Sequence, residues 1–323
     1  MGNVSTMARM SLAARPSYRW KLRTRTLELG ERTRLMAILN LTPDSFSGDG
    51  LLARSPGEHK IDASIDAAIA ALDGGADIVD LGAESTRPGA TPLTSAQEQA
   101  RLLPVLEGLL RARPQAIVSV DTYHAETARA AVLAGAEIVN DVSGLEWDNT
   151  MAATIAEISC GLVMMHTRGR PSEWRTQPRL APADVLPVVF AGLCERLISA
   201  EAAGVASERI VADPGFGFGK IDGENMFLLA GLSRLHELGR PLLVGLSRKG
   251  FLGNTVQPLQ SGNLSAADAR RIATTAANVA AILAGAHILR VHELQPAREA
   301  AAIADAILAA EYPILEQAVA FDA

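Results

Sequence analysis

Nine polar side chains recur at or near the ends of short apolar segments along the chain. They are Asn40, Asp80, Asp121, Asn140, His166, Asp213, Ser247, Arg290 and His292. Carboxylates and amides can hydrogen-bond a ligand, and an arginine and a histidine can bind an anion. Any one of these residues alone is better explained as a helix N-cap or a hydrogen-bonded loop residue. Nine in equivalent positions instead indicate a polar, partly anionic site.

Three loops that follow such segments are unusual in composition. They read NLTPDSFSGDG (40–50), ESTRPGA (84–90) and DPGFGFGK (213–220). Glycine and proline beside Phe, Arg and Asp are typical of loops that move and close on a ligand, although ordinary turns share this composition. The glycine alternation of the third loop is not a dinucleotide-binding fingerprint, and its lysine lacks the spacing of a phosphate-binding P-loop. Spacing alone therefore leaves the chemistry of these loops open.

The segments that position these residues alternate between two patterns. Strands are predicted at Leu35–Asn40, Asp77–Gly82, Ala116–Asp121, Glu137–Asp141, Gly161–His166, Ile210–Asp213, Pro241–Ser247 and Ala286–His292. Helices are predicted at Ile61–Asp73, Ser95–Ala112, Ala125–Leu133, Asn149–Ile158, Ala183–Ala202, Glu224–Leu238, Ala266–Leu283 and Pro296–Leu308. Continuous apolar strands between amphipathic helices indicate a parallel sheet covered by helices, and eight such units favour closure.

We therefore predict an α/β fold, a single-domain (β/α)8 TIM barrel over residues 31–318. Residues 1–30 are predicted to form an N-terminal extension and a short covering strand, Tyr18 to Leu29. The basic, acid-free start also fits an organellar transit peptide or a myristoylation pattern, but a ragged start before the covering strand is favoured. In such a barrel the polar residues meet at the C-terminal rim, where barrel enzymes carry their chemistry.

Composition narrows the class of protein. The formal charge is −6 and 48% of the residues are apolar, which argues against a disordered chain and against extended nucleic-acid binding. No apolar segment is long enough to span a bilayer, so no membrane association is expected. The only two cysteines, Cys160 and Cys194, suit a reducing cytoplasm rather than a disulfide framework.

The ordered motifs LNLTPDSFS, DLGAESTRPGA, VSVDT, IVND, MMHTRGRP, ADPGFGFGK, GLSRKGFLG and ILRVHEL identify the family. In order and spacing they resemble dihydropteroate synthases, and they extend from about Met36 to Leu294. The resemblance implies condensation of a (7,8-dihydropterin-6-yl)methyl diphosphate with 4-aminobenzoate, which yields 7,8-dihydropteroate and pyrophosphate by an SN1-like route. The alternatives are a folate-dependent methyltransferase of the same superfamily, which lacks the first two loops, and a non-catalytic pterin-binding protein.

The resemblance also assigns site residues. The expected catalytic residues are Lys249, Asp121, Asp213 and Arg87. The pterin is expected to contact Asp121, Asn140, Met165, Asp213, Gly217 and Lys249, and the diphosphate to contact Thr86, Arg87, Arg290 and His292. Aminobenzoate is expected at Phe46, Pro88, Phe218, Lys249 and Gly250, and Asn40 is expected to bind Mg²⁺. Sulfonamides are expected to compete with aminobenzoate, and a homodimer is expected from the family.

Two departures from the family pattern fall in these motifs. The family usually reads SFSDGG in the first loop, whereas this chain has Ser47-Gly48-Asp49-Gly50, which displaces the loop aspartate by one residue. The family often has serine after SRK, where this chain has Gly250. The first change leaves the aspartate's help with magnesium or loop closure in doubt, and the second removes a hydroxyl contact.

Overall fold

A computed structural model describes residues 15–41, 57–84, 91–259 and 265–310. A two-stranded hairpin comes first, with strands β1 Tyr18–Lys21 and β2 Thr26–Leu29. Eight parallel strands follow: β3 Arg34–Asn40, β4 Ile78–Gly82, β5 Val118–Asp121, β6 Ile138–Asp141, β7 Gly161–Met165, β8 Ile210–Asp213, β9 Leu243–Val244 and β10 Ile288–Val291. They are hydrogen-bonded in the order β8-β7-β6-β5-β4-β3-β10-β9.

The two ends of this sheet meet and close it. Ala212 of β8 forms a parallel bridge with Leu242, and its amide donates to the Pro241 carbonyl at 2.9 Å. Helices follow the strands: α1 Gly57–Asp73, α2 Ser95–Ala112, α3 Ala125–Leu133, α4 Met151–Ile158, α5 Pro182–Ala202, α6 Glu224–Ala230, α7 Gly250–Val256, α8 Ala266–Leu283 and α9 Leu294–Ala309. The predicted (β/α)8 barrel is therefore confirmed. No helix in these described ranges is both long and apolar enough to span a bilayer.

Alternation along the strands sorts side chains between the barrel interior and the helical layer. In β4, Val79 and Leu81 pack among the residues under the helices, whereas Ile78 belongs to a separate interior cluster. The interior cluster draws one residue from most strands: Met36, Ile78, Ile138, Val163, Val211, Leu243 and Ile288. Because side chains on one face repeat every second residue, the residues two positions later also point inward. Those residues are Ile38, Asp80, Asn140, Met165, Asp213, Gly245 and Arg290.

The N-terminal hairpin closes the apolar end of the barrel. Trp20, Leu22 and Leu29 are each at most 2% exposed and pack against the interior cluster. The Trp20 indole Nε1 donates to the Arg209 carbonyl at 2.8 Å. The prediction of one covering strand from Tyr18 to Leu29 was wrong in one respect. The chain reverses between two strands, where the Leu22 amide donates to the Arg25 carbonyl.

Two other boundaries differ from the predictions, and the domain limits are not tested. Strand β9 covers only Leu243–Val244, because the chain beyond it leaves the ladder and reaches positive φ at Arg248. The predicted helix Glu224–Leu238 is broken at Gly231, after which Leu232–Leu238 is a 3-10 helix. The domain limits 1–30 and 31–318 stay a prediction, because both ends of the chain lie outside the described residues.

Candidate active site

Three of four neighbouring strands place a polar residue at one level of the C-terminal rim, and the fourth places a glycine there. Asn40 pairs in register with Gly82, Gly82 with Asp121, and Asp121 with Asn140. A Cβ at Gly82 would lie 3.6 Å from Asp121 Oδ2 and 3.8 Å from Asn40 Oδ1. The missing side chain of Gly82 therefore leaves a space that an amide oxygen and a carboxylate oxygen both face.

Arg290 joins two carboxylates in this interior. Its Nε donates to Asp80 Oδ2 at 2.6 Å, and its Nη2 donates to Asp121 Oδ2 at 2.5 Å. Asp80 Oδ2 also accepts from Asn140 Nδ2 at 3.1 Å. Arg290 was expected at the diphosphate and Asp80 was assigned to no ligand, whereas the arginine contacts both Asp80 and Asp121, and Asp121 is an expected pterin residue. Asp80 was already among the nine polar residues near strand ends, and its position two residues after Ile78 gives it the inward register.

Burial shifts the protonation of this cluster. The pKa of Asp121 rises to about 7, chiefly because burial disfavours its charged form, while Arg290 opposes the rise and Asp80 adds to it. The same carboxylates raise the pKa of Arg290 above its ordinary value in spite of burial. The guanidinium is therefore permanently charged, and Asp121 titrates near neutrality.

The DPGFGFGK loop (213–220) brings the second group of site residues together. Asp213 ends β8, and its Oδ1 accepts from the Gly215 amide at 2.7 Å. Gly217 has a φ of 80°, and a Cβ there would lie 3.3 Å from Cδ of Lys249. The Lys249 ammonium lies 3.9 Å from the centroid of the Phe218 ring, a cation–π contact. The loop therefore places the Lys249 side chain between the Phe218 ring and the backbone of Gly217.

Lys249 and Asp213 modify each other's titration. Burial lowers the pKa of Lys249 to about 8, an effect that Asp213 opposes and Arg290 reinforces. Burial also raises the pKa of Asp213, against the Gly215 amide and the Lys249 charge. Lysine and carboxylate thus share a partly dry environment, in which each favours the charged form of the other.

A buried lysine organises the same loop. The ammonium of Lys220, a residue 4% exposed, donates to the carbonyls of His166, Gly215 and Phe218 at 3.1, 2.7 and 3.2 Å. Burial lowers the pKa of Lys220 well below its usual value. From the sequence, this lysine was only excluded from a P-loop role. No pattern in the sequence marks a side chain whose partners are backbone carbonyls.

Three expected site residues occupy other positions on the rim. Met165 is 2% exposed and lies beneath Gly215, whose hypothetical Cβ would be 3.0 Å from Met165 Cγ. Ser247 Oγ accepts from the His292 amide at 3.2 Å and lies 3.1 Å from His292 Nδ1. Gly250 is exposed at the first turn of α7, and a Cβ there would meet nothing within 4 Å. A short helix, α7, begins directly after Lys249.

Four expected site residues, Phe46, Thr86, Arg87 and Pro88, lie outside the described residues. Glu84, which precedes three of them, is described. Its carboxylate accepts from the Tyr123 hydroxyl at 2.6 Å and from the Leu93 amide at 3.1 Å. Glu84 therefore connects the end of β4 to the chain just before α2, a role that sequence analysis missed.

The donor set at Asn40 fits a magnesium ion. Among the described residues no three His, Cys, Asp or Glu side chains cluster as a metal cage. Mg²⁺ needs few protein ligands, because it keeps several waters and takes phosphate oxygens from a substrate. The Asn40 amide oxygen faces the open space beside Gly82 together with a carboxylate oxygen of Asp121. Hard oxygen donors of this kind suit Mg²⁺.

The fold and the site define a class: a parallel (β/α)8-barrel enzyme with carboxylates, an arginine and a lysine at the C-terminal rim. Residues 36–292 match the family described as pterin binding enzyme. The dihydropteroate synthase of Escherichia coli K12 is 38% identical over 277 residues, which are 86% of this chain and 92% of that protein. The mitochondrial folate synthesis bifunctional protein of Arabidopsis thaliana is 38% identical over 293 residues, or 87% of this chain, and the chain spans about half (50%) of its length.

Solved structures give the same result. The dihydropteroate synthase of Xanthomonas albilineans with 4-aminobenzoic acid has a TM-score of 0.79 at 36% identity, covering 92% of this chain and 100% of that one. The Yersinia pestis enzyme in a sulfonamide drug complex has a TM-score of 0.80 at 34% identity, covering 90% and 100%. The chain therefore belongs to the pterin-binding enzyme family, among its dihydropteroate synthases, which are transferases.

Proposed function

We propose that the chain joins a (7,8-dihydropterin-6-yl)methyl diphosphate to 4-aminobenzoate in folate biosynthesis, with release of pyrophosphate. The observation that carries this proposal is the convergence of Asp121, Asn140, Asp213, Lys249 and Arg290 on one end of the barrel. The relatives' names support it: a Xanthomonas albilineans relative was solved in complex with 7,8-dihydropteroate, at 34% identity and a TM-score of 0.76.

The pterin ring is assigned to the barrel interior. Its amino-pyrimidinone edge presents adjacent donors, which a carboxylate such as Asp121 or Asp213 binds at two points. Asn140 supplies an amide donor and acceptor, and Met165 forms an apolar floor. Lys249 approaches from the opposite side, across Gly217. A neutral, planar, polar-edged ring matches this combination of buried carboxylates and apolar faces.

The diphosphate is assigned to the cationic side of the rim. Arg290 and His292 stand on β10 and just beyond it, and Thr86 and Arg87 complete the proposed anion site. Asn40 would hold Mg²⁺ together with water and diphosphate oxygens. When bound, the ion would offset the negative charge of the leaving group.

Aminobenzoate is assigned to the outer part of the site. Phe218 and the stem of Lys249 offer it apolar contact, and Gly250 leaves space at the start of α7. Phe46 and Pro88 are proposed to cover this part of the site. The backbone amides after Lys249 would hold the carboxylate of the substrate.

The reaction needs little acid–base help from the protein. The C–O bond between the pterin methylene and the diphosphate breaks, and its electron pair leaves with pyrophosphate. The resulting cation is delocalised into the pterin ring, where Asp121 and Asp213 stabilise it. The arylamine is unprotonated at neutral pH, forms the new C–N bond and then loses one proton to solvent. Arg87 and Arg290 offset the charge on the departing group. Water is the competing nucleophile, so the site must keep water away from the cation.

The decisive experiment measures pyrophosphate release with each substrate alone and with both. Release that requires both substrates is expected, and release with the pterin substrate alone at the same rate would refute the proposal. Asp121→Ala and Asp213→Ala should each weaken pterin diphosphate binding in calorimetry by ~2–5 kcal/mol, as expected when one partner of a buried charged hydrogen bond is removed. Near-normal affinity in both variants would contradict the pterin assignment.

Two further binding experiments address the metal and the order of binding. Removing Mg²⁺ with a chelator should weaken the binding of the diphosphate substrate more than that of a pterin without phosphate. Asn40→Ala should reproduce this selective loss. Aminobenzoate should bind measurably only once pyrophosphate and the pterin site are filled. Equilibrium binding to the free enzyme at full affinity would contradict this order.

Assembly and location belong to the proposal as well. We infer a homodimer that pairs the last two helices, since Ile272 of α8 and Ile303 and Ile307 of α9 are 56%, 63% and 42% exposed. Light scattering on the wild type and on Ile303→Glu would test it, with a dimer and a monomer expected. We place the enzyme in the cytoplasm because Cys160 and Cys194 are free thiols. Some plant relatives are named as mitochondrial, so cell fractionation is the appropriate test.

A further inference from the structure

Asp80 lies where two proposed substrate-binding residues meet. It occupies the middle of β4, and its side chain is fully buried. One oxygen, Oδ2, accepts from Arg290 of β10 at 2.6 Å and from Asn140 of β6 at 3.1 Å. A single buried atom therefore holds a residue assigned to the diphosphate and a residue assigned to the pterin.

The two carboxylates that share Arg290 differ in their access to solvent. The Asp80 side chain is 0% exposed, whereas the side chains of Asp121 and Arg290 are 18% and 17% exposed. Asp80 Oδ1 is buried and has no hydrogen-bond partner among the residues that the structure describes. Without Arg290, Asp80 would be a buried charge with no compensating cation, which is strongly unfavourable. Asp121 can replace Arg290 with water or a ligand at much lower cost.

We propose that Asp80 is a positioning residue: it is the permanent counterion of Arg290, and Asp121 is the exchangeable one. Resting on the proposed function, this assigns a definite event to substrate binding. Asp121 releases the Nη2 of Arg290 and turns to the pterin edge, while Asp80 keeps Nε and the direction of the guanidinium. The released Nη2 then faces the diphosphate. The pterin ring of the substrate thereby replaces Arg290 as the partner of Asp121, and the diphosphate of the same substrate replaces Asp121 as the partner of Arg290.

The test is a double-mutant cycle on the full-length enzyme with Asp80→Asn, Arg290→Gln and the double variant. The affinity for the pterin methyl diphosphate is measured by calorimetry, and the KM for aminobenzoate by steady-state kinetics. In Asp80→Asn the arginine has Asp121 as its remaining carboxylate partner, so pterin diphosphate affinity should fall about 10- to 100-fold. The aminobenzoate KM should change less than about twofold, since that site shares no partner with Asp80. Because Asp80 acts through Arg290, the double variant should bind no more weakly than Arg290→Gln.

Asp77 provides a matched control, because it lies three residues before Asp80 and is also paired with an arginine. Asp77 precedes β4 and accepts from Arg34 at 3.1 Å and from the Leu35 amide at 2.9 Å, at the opposite end of the barrel. Asp77→Asn should lower the melting temperature and leave pterin diphosphate affinity unchanged. Its effect should add to that of Arg290→Gln. The comparison separates loss of an arginine-paired carboxylate in general from loss of Asp80.

The outcomes separate this inference from the proposed function. If wild-type enzyme does not release pyrophosphate from the two substrates, the proposed function fails by itself. If the wild type does release pyrophosphate, either of two results would overturn the positioning role. One is normal binding of the pterin diphosphate by Asp80→Asn. The other is a double variant whose fold loss in affinity equals the product of the two single losses. If either single variant fails to fold, the double variant removes one charge of each sign and should recover the fold. Failure of that rescue would also contradict the pairing.

Discussion

Replacement of Lys220 by methionine tests whether a buried ammonium organises the loop that carries Phe218. Methionine preserves much of the volume but donates no hydrogen bond. The change removes three charged hydrogen bonds, to the carbonyls of His166, Gly215 and Phe218. The Gly215 and Phe218 carbonyls keep a second donor each, at the amides of Phe218 and Arg168. The His166 carbonyl loses the donor that Lys220 supplies.

The magnitude follows from opposing effects. Charged hydrogen bonds contribute ~1.5–3 kcal/mol each, and a buried carbonyl left without a donor costs ~1–3 kcal/mol. Removing the desolvated ammonium recovers several kcal/mol of its burial penalty. We expect the free energy of unfolding to fall by about 2–4 kcal/mol in urea denaturation, a large loss for one substitution.

The functional effect should be selective. Phe218 loses an anchor on its backbone and with it the position of its ring under Lys249, 3.9 Å away. The bond between Asp213 and the Gly215 amide does not involve Lys220. The KM for aminobenzoate should therefore rise more than the dissociation constant of the pterin diphosphate, as steady-state kinetics and calorimetry would show. Lys21→Met is the matched control, because Lys21 is 52% exposed in an ion pair with Glu208 and should contribute little. Wild-type stability and an unchanged aminobenzoate KM in Lys220→Met would refute the reasoning.

The other predictions concern pH, stability and inhibition. Asp121 gains its charge as pH rises through about 7, and Lys249 loses its charge as pH rises through about 8. A plot of kcat/KM for the pterin substrate against pH should therefore be bell-shaped, with its maximum between these values. Lys249→Arg should remove the alkaline limb of that profile, and an unchanged limb would contradict the assignment. Between about 8 and its ordinary pKa of 10.5, Lys249 binds fewer protons in the folded than in the unfolded state, so its contribution to stability rises with pH in that window and is lost as pH falls through about 8. Trp20→Ala should destabilise the protein by ~3–5 kcal/mol in urea without changing pterin affinity, because the indole closes the far end of the barrel; a loss of affinity in the folded variant would contradict this separation. A simple sulfonamide should compete with aminobenzoate and not with the pterin substrate, and inhibition that excess aminobenzoate does not relieve would exclude a shared site. Gly250→Ser should preserve activity, because a Cβ at this position meets nothing within 4 Å.

The barrel could be predicted because its strands are buried on both faces and are therefore mostly apolar. The eight predicted segments each overlap a strand of the closed sheet. Inward alternation also explains why polar residues near strand ends, such as Asp121 and Asp213, lie at one site. The hairpin was less accessible to prediction, because its strands of four residues are interrupted by a turn without glycine or proline. The break at Gly231 was missed because apolar periodicity continues through the 3-10 segment.

The parts of the candidate site that sequence analysis missed depend on tertiary partners. Asp80 was recognised as polar, but its link to Arg290 spans 210 positions and joins strands that are not adjacent in the sheet. Lys220 bonds backbone carbonyls, which have no residue identity to read in a sequence. Glu84 bonds the Tyr123 hydroxyl from another strand end and an amide beyond its own loop. The motif resemblance predicted residues that contact ligands, but it did not predict the residues that position them.

The hairpin has a consequence for the order in which the chain acquires its structure. Trp20 is bonded to a residue 189 positions later, and Arg15 donates to Asp305, 290 positions later, near the end of α9. The apolar layer under the hairpin draws on strands from β3 to β10, so it is complete only after the last strand has been synthesised. A nascent chain must therefore carry Trp20, Leu22 and Leu29 without their packing surface for most of its translation. Such late, sequence-distant docking slows folding and leaves the apolar end of the barrel open to aggregation. Substitutions in the hairpin should accordingly reduce the yield of soluble enzyme in cells more than the turnover of each molecule that folds.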